Sequence, residues 1–328
     1  MATPAREIVV LARHYQGQMR LLELARQERM LRAWRDIEIA LRGSARALAD
    51  RIIAGEMATS PALRIRLGRY QSLLEQAHAE FDRFAYNAAS MIAADQRLAY
   101  QLADDVVAAT LNAVGAYDVL PTSAVRRFVE FTADPQAPLV KLIKKSWPEA
   151  ADAMTRVITT AIGTGKGPAK LAGEMMREFG VGLDRALTIS RTEVLRAYRH
   201  GQQDSYRESE VVVAYKRLSA HDSRVCLGCL FQDGERFDEY QDFDAHPNCR
   251  CALVPVIDGI GAPTWKAGAD WFMDQPVEKQ REMLGHGRWN LWASGEVTDL
   301  KDFSMRKVDS EWGGAFVPRP IRDLRTAA

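Results

Sequence analysis

No lysine occurs before Lys141, and no cysteine before Cys226. No stretch of 18 consecutive apolar residues occurs anywhere, so no transmembrane helix is expected. The first residues, MATPAREIVVLARHYQ, hold an apolar run that charge interrupts too soon for a signal peptide. Synthesis in a reducing cytosol is the expectation, and there clustered cysteines favour a metal over disulfides. The formal net charge is only +1, so bulk electrostatics gives no reason to expect nucleic-acid binding. A local basic face stays open. Arginine outnumbers lysine 34 to 10, a bias that reads as codon usage before it reads as function.

What is present falls into three parts by period and composition: 1–120, 121–257 and 258–328. The first part reads as helix after helix. Leu31, Trp34, Ile37, Leu41, Ala45, Leu48 and Ile52 recur at steps of three and four, which places them on one helical face. Gly55 is a stop signal, and Ser60–Pro61 supplies an N-cap and a first-turn proline for the next helix. There Leu67, Tyr70, Leu74, Ala77, Phe81 and Phe84 mark a second stripe. Such stripes read first as a bundle core. A first helix of ~50 residues would run ~75 Å, however, longer than a small domain covers. The sharper reading is therefore a docking region for a partner, with Trp34 and Leu41 as anchors.

Pro121, Pro135, Pro138 and Pro148 punctuate short helices between 122 and 162. GTGKGPAK (163–170) departs from a phosphate-binding loop because Gly167, not a hydroxyl residue, follows the lysine. It reads as a turn between helices. Two more helices are expected over 168–180 and 184–207. The period then changes: EVVVAYKRLS, GERFDE and CALVPV read as three short strands. Five of the seven tryptophans follow, between Trp265 and Trp312. They suggest short helices packed back on the β unit, with an extended tail from Val317.

All four cysteines lie within CLGCLFQDGERFDEYQDFDAHPNCRC, residues 226–251. Cys226 and Cys229 form one C-x2-C pair, and His246 and Cys249 form a second pair at the same spacing. Each such turn can present two ligands to one ion, and four nitrogen or sulfur ligands make a closed tetrahedral zinc site. Cys251 is a competing fifth donor, because in a strand it shares a face with Cys249 while Arg250 points away. Cys226, Cys229, His246 and Cys249 are the favoured set, since Pro247 helps the second turn to form. With four or five donors to close the shell, a structural ion is expected over a catalytic one. His221, Asp222, Asp233 and Glu235 lie near enough in sequence to keep a catalytic base as the alternative. A thioredoxin-like redox pair is not expected, for want of a βαβ context.

The segment ISRTEVLRAYRH through CALVPV resembles the phage Mu F-like family of head morphogenesis, or minor capsid, proteins. The resemblance is carried by RTE (Arg191, Thr192, Glu193), D-x-R-x-C-x-x-C (Asp222, Arg224, Cys226, Cys229), the glycine turn at Gly234, and HPxCR (His246, Pro247, Cys249, Arg250). It covers roughly residues 150–256. The Trp-rich segment after it also resembles an extension found in such proteins, and residues 1–120 match nothing specific. In relatives the position of Cys251 is often serine, which supports the favoured donor set. The resemblance implies a low-copy head component made with the portal, capsid and scaffold proteins, located in the virion and in the host cytoplasm during assembly. DNA contact and self-association stay open, and membrane association is not expected. Arg191, Glu193, Asp222 and Arg224 are expected as structural support for the β unit.

The expected architecture is α+β: a long helical region, a small zinc-stapled antiparallel β unit, and a Trp-rich helical C-terminal segment. The expected function is phage head assembly without enzymatic activity. Its rivals are a zinc-dependent nuclease or toxin delivered with the particle, and a nucleic-acid-binding zinc module.

Overall fold

The computed structural model of the chain describes residues 4–53, 60–115, 138–164, 168–222, 224–238, 241–309 and 313–325. Gly55 and most of GTGKGPAK's central turn lie outside them. Six helices come first: α1 (Pro4–Ile53), α2 (Ser60–Ala113), α3 (Pro138–Lys144), α4 (Trp147–Thr164), α5 (Pro168–Phe179) and α6 (Val181–Glu208). The expected first helix is thus a single one of 50 residues. Among the described residues no helix is long and apolar enough to cross a membrane. The chain divides into two compact units that are not contiguous blocks of sequence. One comprises 22–95 and 129–191, and the other comprises 1–21, 96–128 and 192–328.

The first unit is all helix and is built on an aromatic cluster. The Trp34 ring stacks on Phe179 at 4.7 Å and meets Phe84 edge-on at 4.8 Å. Phe81 stacks on Trp147 at 5.7 Å. Trp34 is 4% exposed and Leu41 0%. Trp34, Ile37, Leu41 and Ala45 of the stripe are thus buried in the chain's own core, where the notion of Trp34 and Leu41 as partner anchors would require exposure. The reason is supply: α2, α4 and α5 bring enough aromatic surface to cover that face of α1. Leu31 falls off the face, 39% exposed, and Met30 takes its place at 0%. A buried charge network accompanies the aromatics. Arg26 and Arg29 both donate to the Asp95 carboxylate, and Arg191 donates to Glu23.

The second unit holds the β structure. Strand β1 (Val212–Leu218) is central, flanked antiparallel by β2 (Arg236–Phe237) and β3 (Ala252–Ile257). Register pairs Lys216 with Val254 and Leu218 with Ala252, and a bulge falls between Val212 and Ala214. Every residue of β3 is buried, so it reads as a continuous apolar run instead of an alternation. The three expected strands all form.

The C-terminal segment departs from its expected helical character. After α7 (Leu227–Leu230), α8 (Gly268–Met273) and α9 (Val277–Ala293) comes an antiparallel hairpin of β4 (Ser304–Asp309) and β5 (Gly313–Pro318), then α10 (Ile321–Arg325). Trp271, Trp289 and Trp292 rim an apolar cluster centred on Leu230, Phe231, Phe272 and Phe303. The tryptophans thus seal the edge of a core that Leu and Phe fill. Trp312 lies outside the described residues.

Candidate metal centre

The first cysteine turn is a turn of helix. Cys226 takes extended backbone angles just before α7, and its carbonyl accepts the Leu230 N–H at 2.8 Å. Cys229 lies within α7 and is 2% exposed. A C-x-x-C that opens a helix is the thioredoxin arrangement, but here the neighbouring strands are antiparallel, so the βαβ context is still missing. The second turn is closed by the Cys249 N–H, which donates to the His246 carbonyl at 3.0 Å. Asn248 makes it possible by adopting φ +64°, a left-handed conformation that asparagine tolerates.

The two turns and the start of β3 bring all five expected donors together. Cys226, Cys229 and His246 form one group, and Cys229, Cys249 and Cys251 form another. Within each group the ligand atoms lie within 4.8 Å of one another. Cys229 belongs to both, and its Sγ lies 3.8 Å from that of Cys249. Cys226, Cys229, His246 and Cys251 line a cavity of ≈ 20 Å³. Cys251 is therefore set as close to the centre as Cys249, and the geometry leaves the choice between them open.

His246 supplies the test of fit. Its Nδ1 lies 2.7 Å from the Pro247 carbonyl, a distance at which only a protonated Nδ1 makes a hydrogen bond. That puts a proton on Nδ1 and leaves Nε2 as the ring nitrogen available to an ion. Nε2 is buried and has no hydrogen-bond partner. A ligating histidine is usually held this way, with one nitrogen bound to a carbonyl and the other free for the ion. The donor set, the spacing and the orphaned nitrogen all fit a metal ion.

The electrostatics are those of a shared-proton cluster. The hydrogen bond from Cys229, with His246 beside it, pulls the Cys226 thiol down to about 4. Cys249 is held well below the usual thiol range by hydrogen bonds from Cys229 and Cys251. Cys229, donating to both, is raised. Burial opposes the charged form of His246, but the neighbouring Cys226 and the charge of the thiolates raise it to about 9. An ion on Nε2 would replace that proton, because metal ligands bind deprotonated.

Around this centre the expected support residues divide. Asp222 accepts both Arg250 Nη groups, at 2.6 and 2.8 Å, and the Arg224 backbone N–H at 2.9 Å. The Arg250 contact holds its carboxyl below the usual range and ties the first turn to the residue between Cys249 and Cys251. Arg224 contributes its backbone to this link and lines the cavity. Within the RTE motif, Arg191 pairs with Glu23 in α1, and Glu193 pairs with Arg196 one turn on in α6. Burial raises the Glu193 carboxyl. Thr192, between them in the motif, accepts the Asn248 N–H at 3.1 Å.

The C-terminal hairpin closes over both turns. Ser304 Oγ donates to the Gly228 carbonyl at 2.9 Å, and the Ala245 N–H donates to the Gly314 carbonyl at 2.8 Å. Arg306 grips Asp244 with two hydrogen bonds, at 2.6 and 3.1 Å. Gly228 is required here, since a Cβ would sit 2.6 Å from the Val317 backbone. His221 stands outside the thiol cluster. It pairs with the buried Asp233 at 2.8 Å and stacks on Trp271 at 5.2 Å, so it is a packing residue.

A helix–strand scaffold that gathers four thiols and an imidazole from two turns and the start of β3 could hold a metal ion in the manner of a zinc knuckle. Residues 152–254 match the family model described as phage Mu protein F like protein. The match runs from α4 into β3 and includes both turns. The family points to phage head morphogenesis in general. No curated protein and no solved structure matches the chain.

Proposed function

We propose that this chain is a minor, low-copy component of a phage head, that it joins the portal and the nascent capsid during assembly, and that its centre holds one zinc ion as a staple. The observation that carries the reading is the family match across the knuckle-bearing segment. A structural role for the ion is supported by the donors: four line a cavity of ≈ 20 Å³ and Cys249 is grouped with two of them, so four can close a tetrahedral shell and leave no open position for an activated water. The proposed ligands are Cys226, Cys229, His246 and Cys249, with Cys251 as the competitor. Zinc is proposed over other divalent ions because thiolate and imidazole suit it best among the common ones.

The experiment is quantitative mass spectrometry of purified procapsids and virions from a phage encoding the chain. A few copies per particle, lost when the portal is deleted, is the expected result. Absence from every assembled particle would overturn the reading. The enzymatic rival is tested with zinc-loaded protein on DNA and RNA. Turnover that disappears in Glu193→Gln or Asp222→Asn would replace the structural reading with a catalytic one.

A further inference from the structure

Two arginines are sealed in beside the thiols. Arg199, from α6, is 3% exposed, and Arg217, from β1, is 1% exposed. Arg199 Nη1 donates to the carbonyls of Cys249 at 3.0 Å and Cys251 at 3.3 Å. One guanidinium thus holds the backbone of both cysteines that precede and enter β3. Arg217 Nη2 donates to the Asp244 carbonyl at 2.5 Å, and its Nη1 lies 3.9 Å from Cys229 Sγ. The Phe243 ring lies 3.9 Å from the Arg217 guanidinium carbon and 5.4 Å from that of Arg199. Among the described residues neither arginine has a carboxylate within 4.0 Å.

A buried guanidinium with no anion beside it is strongly disfavoured. What lies beside these two is sulfur. An ion of charge +2 bound by three thiolates and an imidazole carries net −1, and by four thiolates net −2. Two fixed positive charges offset either complex. Lysine would not serve as well, because its ammonium is more strongly hydrated and lacks the planar fork that spans two carbonyls.

We propose that Arg199 and Arg217 are positioning residues of the metal centre: they fix the backbone of its cysteine-bearing segments and offset the negative charge of a thiolate-bound divalent ion. The proposal rests on the metal reading above. It makes α6 and β1 contributors to the site, although neither supplies a ligand.

The test uses the full chain and two probes, zinc in competition with a chromophoric chelator and cobalt(II) read by its visible spectrum. Arg199→Met and Arg217→Met remove charge and fork while keeping bulk. Each is expected to weaken zinc binding ~10–100-fold, the usual effect of losing a residue that supports a ligand, and to shift the cobalt bands. Arg217→Lys, which returns the charge alone, is expected to recover part of the affinity. Folded methionine variants with wild-type zinc affinity and an unaltered cobalt spectrum would overturn the proposal. If the methionine variants do not fold, Arg199→Lys decides: wild-type affinity without the fork overturns it, and a loss supports it. Failure of the wild-type chain to take up either metal is a separate result that removes the metal reading itself.

Discussion

Thr192 Oγ1 accepts the backbone N–H of Asn248 at 3.1 Å, so α6 meets the second knuckle through the one uncharged residue of its RTE motif. Asn248 is the residue held at φ +64°, and this bond fixes the left-handed step that turns His246 and Cys249 to the same side. Thr192→Val keeps the shape and removes the acceptor. It is expected to destabilise the protein by about 1–3 kcal/mol, whereas Thr192→Ser stays close to wild type. Urea midpoints of the two variants check this.

Metal stoichiometry separates the donors. One zinc per chain is expected by atomic spectroscopy. Cys226→Ser and Cys249→Ser should abolish it and unfold the β unit locally, since such an ion contributes on the order of 10 kcal/mol of apparent folding free energy at neutral pH. Cys251→Ser should keep it. Loss of zinc in Cys251→Ser together with its retention in Cys249→Ser would exchange the two in the ligand set.

The aromatic cluster of the helical unit makes a stability prediction where the sequence suggested docking. Trp34→Ala removes a side chain that stacks on Phe179 and meets Phe84, and should cost about 3–5 kcal/mol. Leu41→Ala, at 0% exposure, should cost about 2–5 kcal/mol. Ile39→Ala, on the same helix but 66% exposed, should change stability by less than about 0.5 kcal/mol. Thermal unfolding of the three side by side is the measurement.

Glu193 gives a pH signature. Burial raises its folded-state carboxyl pKa above the unfolded value, which is about 4.3. The folded state therefore binds more protons than the unfolded state between the two values, and stability falls as pH rises through that window. The favourable contribution is fully present below ~pH 4.3 and is lost above the folded pKa. Glu193→Gln should gain stability over wild type at neutral pH, and that gain should vanish at low pH. Denaturation midpoints across the pH range decide it, and a gain that grows on acidification would reverse the sign.

The residues that were legible in the sequence are those whose pattern is local. The period of α1 and α2, the β-branched run of β1 and the paired x2 spacings of the cysteines each announce themselves within a few residues. Arg199 and Arg217 do not. Nothing in a chain with 34 arginines distinguishes two that are buried, because their burial depends on Phe243 and on thiols from other elements. The β4–β5 hairpin was hidden for a related reason. Charged Arg306 and Lys307 interrupt β4, and Gly313 and Gly314 open β5, so neither strand shows the β-branched run that made β1 visible. Trp34 sits between these cases: its stripe was plain, but whether a partner or the chain itself covered it depended on α4 and α5.

The hairpin also sets an order of events in the ribosome's output. Both cysteine turns are complete once Cys251 has been made, but Ser304, Arg306 and Gly314, which latch over them, follow about fifty residues later. At about 5–20 residues per second, that interval lasts about 3–10 seconds. During it the two turns lack that latch, and on the proposed metal reading an ion would meet them before the hairpin does. Once β4 and β5 are in place, the Val317 backbone packs against Gly228, and spreading the first turn would mean breaking its bond to Ser304. On the proposed metal reading, the choice of ligands would belong to the two turns and the holding of the ion to the hairpin that arrives last.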